Sequence, residues 1–188
     1  MRLTEKVHQL LAQHIRAGDS SIDATAGNGH DTCFLAEQVG VSGQVIAIDI
    51  QANAIEATRQ KIAAAQFEER VSLEQGDHAI ALEKLTQSHR STFSAIIFNL
   101  GYLPGSDKNV QTEASNTEKA LKASLQLLSK NGALYVTAYR GHPGGAKEAH
   151  IVENWMRAQE AAGHTVKSYE PASKNTPPIL WVLRVSCQ

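Results

Sequence analysis

The chain has 188 residues, of which 42% are hydrophobic and 20% charged, with a formal net charge of −1. That length suits one α/β domain over 1–188, and a near-neutral balance argues against a dedicated nucleic-acid binder with a basic surface throughout. Cys33 and Cys187 lie in no metal-ligand or disulfide pattern, the N-terminal segment is charged too early for a signal peptide, and no run of about 18 apolar residues occurs, so a cytoplasmic protein with no membrane span and no bound metal is expected.

Leu3, Val7, Leu10, Leu11 and Ile15 recur at helical spacing and predict an amphipathic helix over 3–16, ended by Gly18-Asp19. Residues 21–24 form a short strand that runs into a glycine-rich turn, and 30–39 a helix. Residues 44–49 read as a buried strand ending in an acid, 51–65 as an Ala-rich helix, and 71–74 as a third strand followed by a helix to about Leu85. Residues 93–98 are an apolar strand ending at Asn99, and a loop leads to a helix over 112–129. Asn131-Gly132 is a turn, 133–139 the fifth strand, 146–162 a helix that Gly163 stops, and 164–169 and 179–185 the last two strands. Strands alternating with helices of this length predict a mostly parallel sheet with helices on both faces. Only a loop joins the last two strands, too short for a parallel crossover, so they are expected to be antiparallel.

The first strand-to-helix turn reads Asp23-Ala24-Thr25-Ala26-Gly27-Asn28-Gly29-His30-Asp31-Thr32. Glycines at 27 and 29 let the backbone turn sharply and approach a ligand beyond the carboxyl ends of the strands. Asp49 ends the second strand, where a carboxylate accepts two ribose hydroxyls; it serves equally as an N-cap for the helix near Gln51. Asp77-His78 follows the third strand. Asp77 is either a partner for an adenine amine or another N-cap. Asp23 either organises the loop or faces a cationic group. A nicotinamide dinucleotide competes for such a turn, but its sites prefer a third glycine where Thr32 stands, and Asp31 would lie beside a phosphate. S-adenosylmethionine carries a sulfonium and an ammonium and no phosphate, so the local charge favours it.

Asn99-Leu100-Gly101-Tyr102-Leu103-Pro104-Gly105 follows the fourth strand and partly matches the Asn-Pro-Pro-Tyr type of motif found where amines are methylated. An amine aligned for attack at about 3–3.5 Å needs acceptors for its N–H groups, and the Asn99 oxygen is one; Tyr102 stacks on a base or closes the pocket. The bland alternative is a tight loop with Tyr102 as a core lid. Tyr139-Arg140-Gly141-His142-Pro143-Gly144-Gly145 follows the fifth strand. Arg140, Lys147 and Lys108 are candidates for phosphates, Tyr139 for stacking on a base and His142 for taking a proton, or the segment is a glycine turn with solvated charges. The remaining histidines, His8 among them, show no ligand spacing and read as ordinary surface or core residues.

DATAGNGHDT (23–32), AIDIQ (47–51), GDH (76–78), NLGYLPGSDK (99–108) and YRGHPGG with Glu148 cover most of the chain. In that order they resemble the family of small rRNA-methylase-type proteins related to the bacterial tRNA 5-(aminomethyl)-2-thiouridine methyltransferases. The resemblance implies a Rossmann-like class I methyltransferase fold with a seven-stranded, mostly parallel sheet and a C-terminal antiparallel β-hairpin. It also implies S-adenosylmethionine as cofactor, tRNA as substrate and a homodimer. On it, Asn28, Gly29 and Asp31 shape the donor pocket, Asp49 and Gln51 contact the ribose, Asp77 and His78 border the adenine, and Asn99, Tyr102, Tyr139 and His142 belong to the acceptor side. An rRNA or small-molecule amine substrate, a nicotinamide-dependent oxidoreductase and a non-enzymatic RNA-binding module stay open as alternatives.

Overall fold

The computed structural model describes residues 2–101, 114–141, 143–171 and 176–186. Its elements run α1 (Leu3–His14), β1 (Ser20–Asp23), α2 (His30–Val39), β2 (Gln44–Asp49), α3 (Ala52–Ala64), β3 (Val71–Gln75), α4 (His78–Leu85), β4 (Phe93–Leu100), α5 (Ala114–Leu127), β5 (Leu128–Ala138), α6 (Gly145–Ala161), β6 (Thr165–Tyr169) and β7 (Ile179–Arg184). The seven strands form one sheet in the order β3-β2-β1-β4-β5-β7-β6. β1 through β5 pair in parallel, while β7 runs antiparallel to both β5 and β6. This is the Rossmann-like methyltransferase architecture with its antiparallel ending, as expected.

Period-two alternation along the strands decides which helices cover which face. On β4, Ile96, Phe98 and Leu100 point with Ile22 and Val136 into a core closed by α4, α5 and α6. Ala95 and Ile97 point the other way, with Tyr135 and Val182, into a core closed by α1, α2 and α3. Leu11, Leu35 and Leu121 are fully buried, and on α1 Val7 and Leu11 form the apolar stripe that the sequence period promised.

One local departure has a clear physical cause. The Asn131-Gly132 turn does not separate α5 from β5; it is a kink inside the strand, with Asn131 at φ 66° and a register shift opposite Phe93 and Ala95. Asn tolerates that left-handed geometry, and a Cβ on Gly132 would fall 2.8 Å from the Ser129 carbonyl oxygen. A short 3-10 turn at Glu68–Arg70 was not expected from the sequence.

The order of strands reverses between β1 and β4, which opens a crevice at their carboxyl ends. The same alternation puts Asp23, Asn99 and Tyr139 at that edge on the α1/α2 face, because they continue the rows of Ser21, Ile97 and Tyr135.

Candidate active site

The glycine turn is held by carboxylates that accept from backbone. Asp23 is fully buried; its Oδ1 accepts from Thr25 N at 3.2 Å and its Oδ2 from the Thr32 hydroxyl at 2.6 Å. It is therefore the organiser of the loop. Burial, and then the nearby Asp31 carboxylate, push its carboxyl up to about 7. Gly27 (φ 54°) and Gly29 (φ 74°) take left-handed geometry, and Gly29 is the αL N-cap of α2. A Cβ there would fall 2.9 Å from Thr58 Cα on α3. The Thr58 hydroxyl donates to Gly27 O at 3.1 Å, so α3 buttresses the turn from behind. Asn28 is exposed on the turn.

Asp49 joins this turn to the next loop. Its Oδ2 accepts from Gly27 N and its Oδ1 from Gln51 N, both at 2.9 Å. The N-cap of α3 is Gln51 rather than Asp49, so the capping alternative is not what the structure has. Each Asp49 oxygen keeps a lone pair for a further donor. Asp77, in contrast, is the N-cap of α4: its Oδ1 accepts from Ala79 N at 2.8 Å and Ile80 N at 3.2 Å. Its Oδ2 accepts from Asn116 Nδ2 at 2.9 Å, which ties the first turn of α5 to the same loop. His78 is buried edge-on to Phe98, and its Nε2 has no partner among the described residues. Burial holds this imidazole below the usual histidine range, with Asp77 and Asp49 opposing.

The loop after β3 faces open space. A Cβ on Gly76 would meet nothing within 4 Å. Ile50, next after Asp49, and Ile80, three residues after Asp77, are 54% and 70% exposed at the same edge. Exposed aliphatic groups beside carboxylate lone pairs suit the faces and hydroxyls of a nucleoside.

On the other side of the crevice the bonds join residues far apart in the chain. Asn99 N donates to Thr25 Oγ1 at 2.7 Å, and its Nδ2 donates to Asp31 Oδ2 at 2.8 Å. Asp31 Oδ1 lies 2.6 Å from His8 Nε2 on α1. Burial would raise this carboxyl, but the hydrogen bonds from His8 and Asn99 outweigh it and hold Asp31 below the usual range. An ionised carboxylate only accepts, so the amide group that faces it must be the NH₂. No described group bonds the Asn99 Oδ1. Tyr139 is 38% exposed; partial burial, and then Asp31, raise its phenol. Its backbone N donates to Leu100 O, which fixes the end of β5 against β4.

The "Putative rRNA methylase" family model matches residues 45–184. A curated relative of Arabidopsis thaliana, "tRNA (mnm(5)s(2)U34)-methyltransferase, chloroplastic", is 39% identical over 187 residues, covering 95% of this chain and 68% of its own. The chain belongs to this family. A "putative rRNA-methylase" of Clostridium thermocellum superposes with a TM-score of 0.89 at 31% identity, covering 97% of each chain. A "putative methyltransferase" of Streptococcus mutans, solved with SAH, superposes at 0.84 with 33% identity, covering 98% of each.

For a member of the rRNA methylase family, the structure gathers Asp23, Gly27, Asn28, Gly29, Asp31, Asp49, Gln51, Asp77, His78, Asn99 and Tyr139 at one sheet edge. Tyr102, His142 and Lys108 lie outside the described residues. Arg140, a candidate for phosphates, donates to the Pro177 carbonyl at 2.8 Å through Nε and pairs with Glu170. Lys147 is exposed on α6, and Glu148, one residue on, is buried with the Thr117 hydroxyl on its Oε1. Sequence reasoning missed Thr58, Asn116, Ile50, Ile80 and above all His8. The first two act across α3 and α5, which no local spacing announces, and His8 sits in an ordinary amphipathic helix.

Proposed function

We propose that the chain transfers the methyl group of S-adenosylmethionine to the aminomethyl nitrogen of 5-aminomethyl-(2-thio)uridine at the tRNA wobble position. Family membership supports methyl transfer, the SAH held by the Streptococcus mutans protein supports the donor, and the activity in the name of the Arabidopsis relative supports the acceptor. The observation that carries the reading is Asn99: its amide is pinned by Asp31 through Nδ2, so its oxygen is left as an acceptor at the crevice.

The donor, when bound, supplies an electrophilic methyl on a cationic sulfur. Asp49 would accept the ribose hydroxyls, Ile50 and Ile80 would flank the base, and His78 would meet its edge. The carboxylates of Asp31 and Asp49 border the turn, which disfavours a pyrophosphate and favours a cationic ligand. The acceptor must be a neutral amine with its lone pair forward. Asn99 Oδ1 would take one of its N–H groups and set that direction. The nitrogen gains positive charge as its new bond forms, and the ionised Asp31 behind Asn99 stabilises that charge. Tyr139 would border the acceptor on the same side.

The test uses purified protein, labelled S-adenosylmethionine and three acceptors: tRNA bearing 5-aminomethyl-2-thiouridine, rRNA, and small amines. Label is expected in the wobble nucleoside as a methylaminomethyl group. Label confined to rRNA or small amines rejects the tRNA acceptor, and label in none rejects methyl transfer to an amine. Asp49→Ala should weaken SAH binding by about tenfold or more in calorimetry, as loss of charged hydrogen bonds requires; unchanged affinity would remove the ribose role.

A further inference from the structure

We infer that His8, on the first helix and outside every motif of the chain, is a positioning residue for the acceptor nitrogen: it holds Asp31, and Asp31 holds the Asn99 amide. The inference rests on the methyl-transfer reading above for its consequence, though not for its geometry.

The His8 ring stacks on Phe34 with centroids 3.9 Å apart and planes 4° from parallel. Asp31 and Phe34 are three residues apart on α2 and share one face of it. Packing α1 on that face therefore brings one imidazole to both: its plane rests on Phe34 and its Nε2 reaches Asp31 Oδ1 at 2.6 Å. Val7 and Leu11, on either side of His8 along α1, are buried in the core shared with α2, so the ring has little freedom to leave.

Asp31 then has one oxygen on His8 and the other on Asn99, with a side chain only 17% exposed. Removing the His8 donor leaves Oδ1 with no described partner in that half-buried place. Burial then favours the protonated carboxyl, and a protonated carboxyl donates as well as accepts. The Asn99 amide can then turn its oxygen to Asp31 and present NH₂ to the acceptor, the wrong polarity for an amine that needs an N–H acceptor. His8 thus fixes, two bonds away, which atom of Asn99 meets the substrate.

Two variants separate this from simple packing. His8→Phe keeps a ring on Phe34 and removes the donor; His8→Gln places an amide N–H where Nε2 was and loses the stack. With tRNA bearing 5-aminomethyl-2-thiouridine, His8→Phe is expected to lower kcat by about tenfold or more while SAH affinity stays within about threefold. His8→Gln should recover most of kcat. The Asn99 side-chain amide signals in a ¹H–¹⁵N spectrum should move in His8→Phe and return in His8→Gln. Wild-type kcat with unmoved Asn99 signals in a folded His8→Phe would overturn the inference, as would a folded His8→Gln as impaired as His8→Phe. If the wild type methylates no amine, the substrate reading fails, and the Asn99 signals still decide whether His8 orients the amide.

Discussion

On the β1–β3 side of the crevice, every carboxyl group takes backbone N–H groups, Asp23 from Thr25, Asp49 from Gly27 and Gln51, Asp77 from Ala79 and Ile80, with one side chain added on Asp23 and on Asp77. On the β4 side the bonds run between side chains far apart in sequence, from His8 to Asp31 and from Asp31 to Asn99, 23 and 68 residues away. The first arrangement is set by backbone geometry and fails where that geometry is disturbed. The second is a chain of three side chains, and one substitution that spares the fold breaks it. A donor pocket shared by many acceptors needs the former; a site that must recognise one nucleophile can be built from the latter.

The sharpest way to break the backbone-held half is Gly29→Ala. Its φ of 74° is strained for any L side chain, and the added Cβ would lie 2.9 Å from the backbone of Thr58, which cannot swing away as a side-chain tip would. The left-handed penalty and the overlap together predict a loss of about 3 kcal/mol, or a Tm lower by roughly 10 °C. Gly76→Ala is the matched comparison, because a Cβ there meets nothing within 4 Å. Its Tm should stay within about 2 °C, as surface substitutions usually do, while any ligand that uses the space above it binds less well. Equal thermal losses in the two variants would mean that the turn has slack.

The same contrast explains what was legible in the sequence. The sheet followed from strand and helix periods, and the antiparallel ending from a connection too short for a crossover. The glycine turn, Asp23, Asp49 and Asp77 could be found because their partners lie a few residues away or one strand over. His8 could not be found, because its partners are fixed by how α1 lies on α2. Asn116 was invisible for the same reason: its bond to Asp77 depends on α5 packing beside α4. Arg140 read as a candidate phosphate ligand because it is basic and sits in a glycine-rich loop; its bonds to Pro177 and Glu170 depend on how the β6–β7 connection packs, which no local spacing announces.

A smaller effect tests whether the buried end of the donor half is charged. Asp23 is raised to about 7 by burial and then by Asp31. The folded chain therefore keeps a proton between about pH 4 and pH 7 that the unfolded chain releases. That contribution to stability is complete below the unfolded pKa and is lost as pH climbs toward 7. Asp23→Asn has no such proton, so the stability of wild type minus variant should fall from pH 5 to pH 7 and level off above. Taking the difference cancels His14 and His78, both held below their usual range, whose opposite slopes occur in both proteins. Paired urea denaturation at each pH measures it. A difference that rises with pH would show Asp23 ionised in the fold, and the turn would then be held by charge rather than by neutral hydrogen bonds.

The smallest effect separates a structural clamp from a substrate contact on the side-chain-held side. Arg140 donates to Pro177 O through Nε and pairs with Glu170, so it fastens the connection from β6 to β7 against the end of β5. Glu170 is 49% exposed, and solvent screens much of the pair. Arg140→Ala should therefore cost only about 1 kcal/mol, a Tm lower by roughly 2–4 °C. With the proposed tRNA acceptor, KM and its dependence on salt should stay as in wild type. A phosphate ligand behaves oppositely: its loss barely moves Tm, raises KM, and flattens the salt dependence by about one released counterion. The two quantities move in opposite senses for the two roles, so one variant and one salt series decide whether that edge of the sheet meets RNA through Arg140 or uses it to keep its own loops in place.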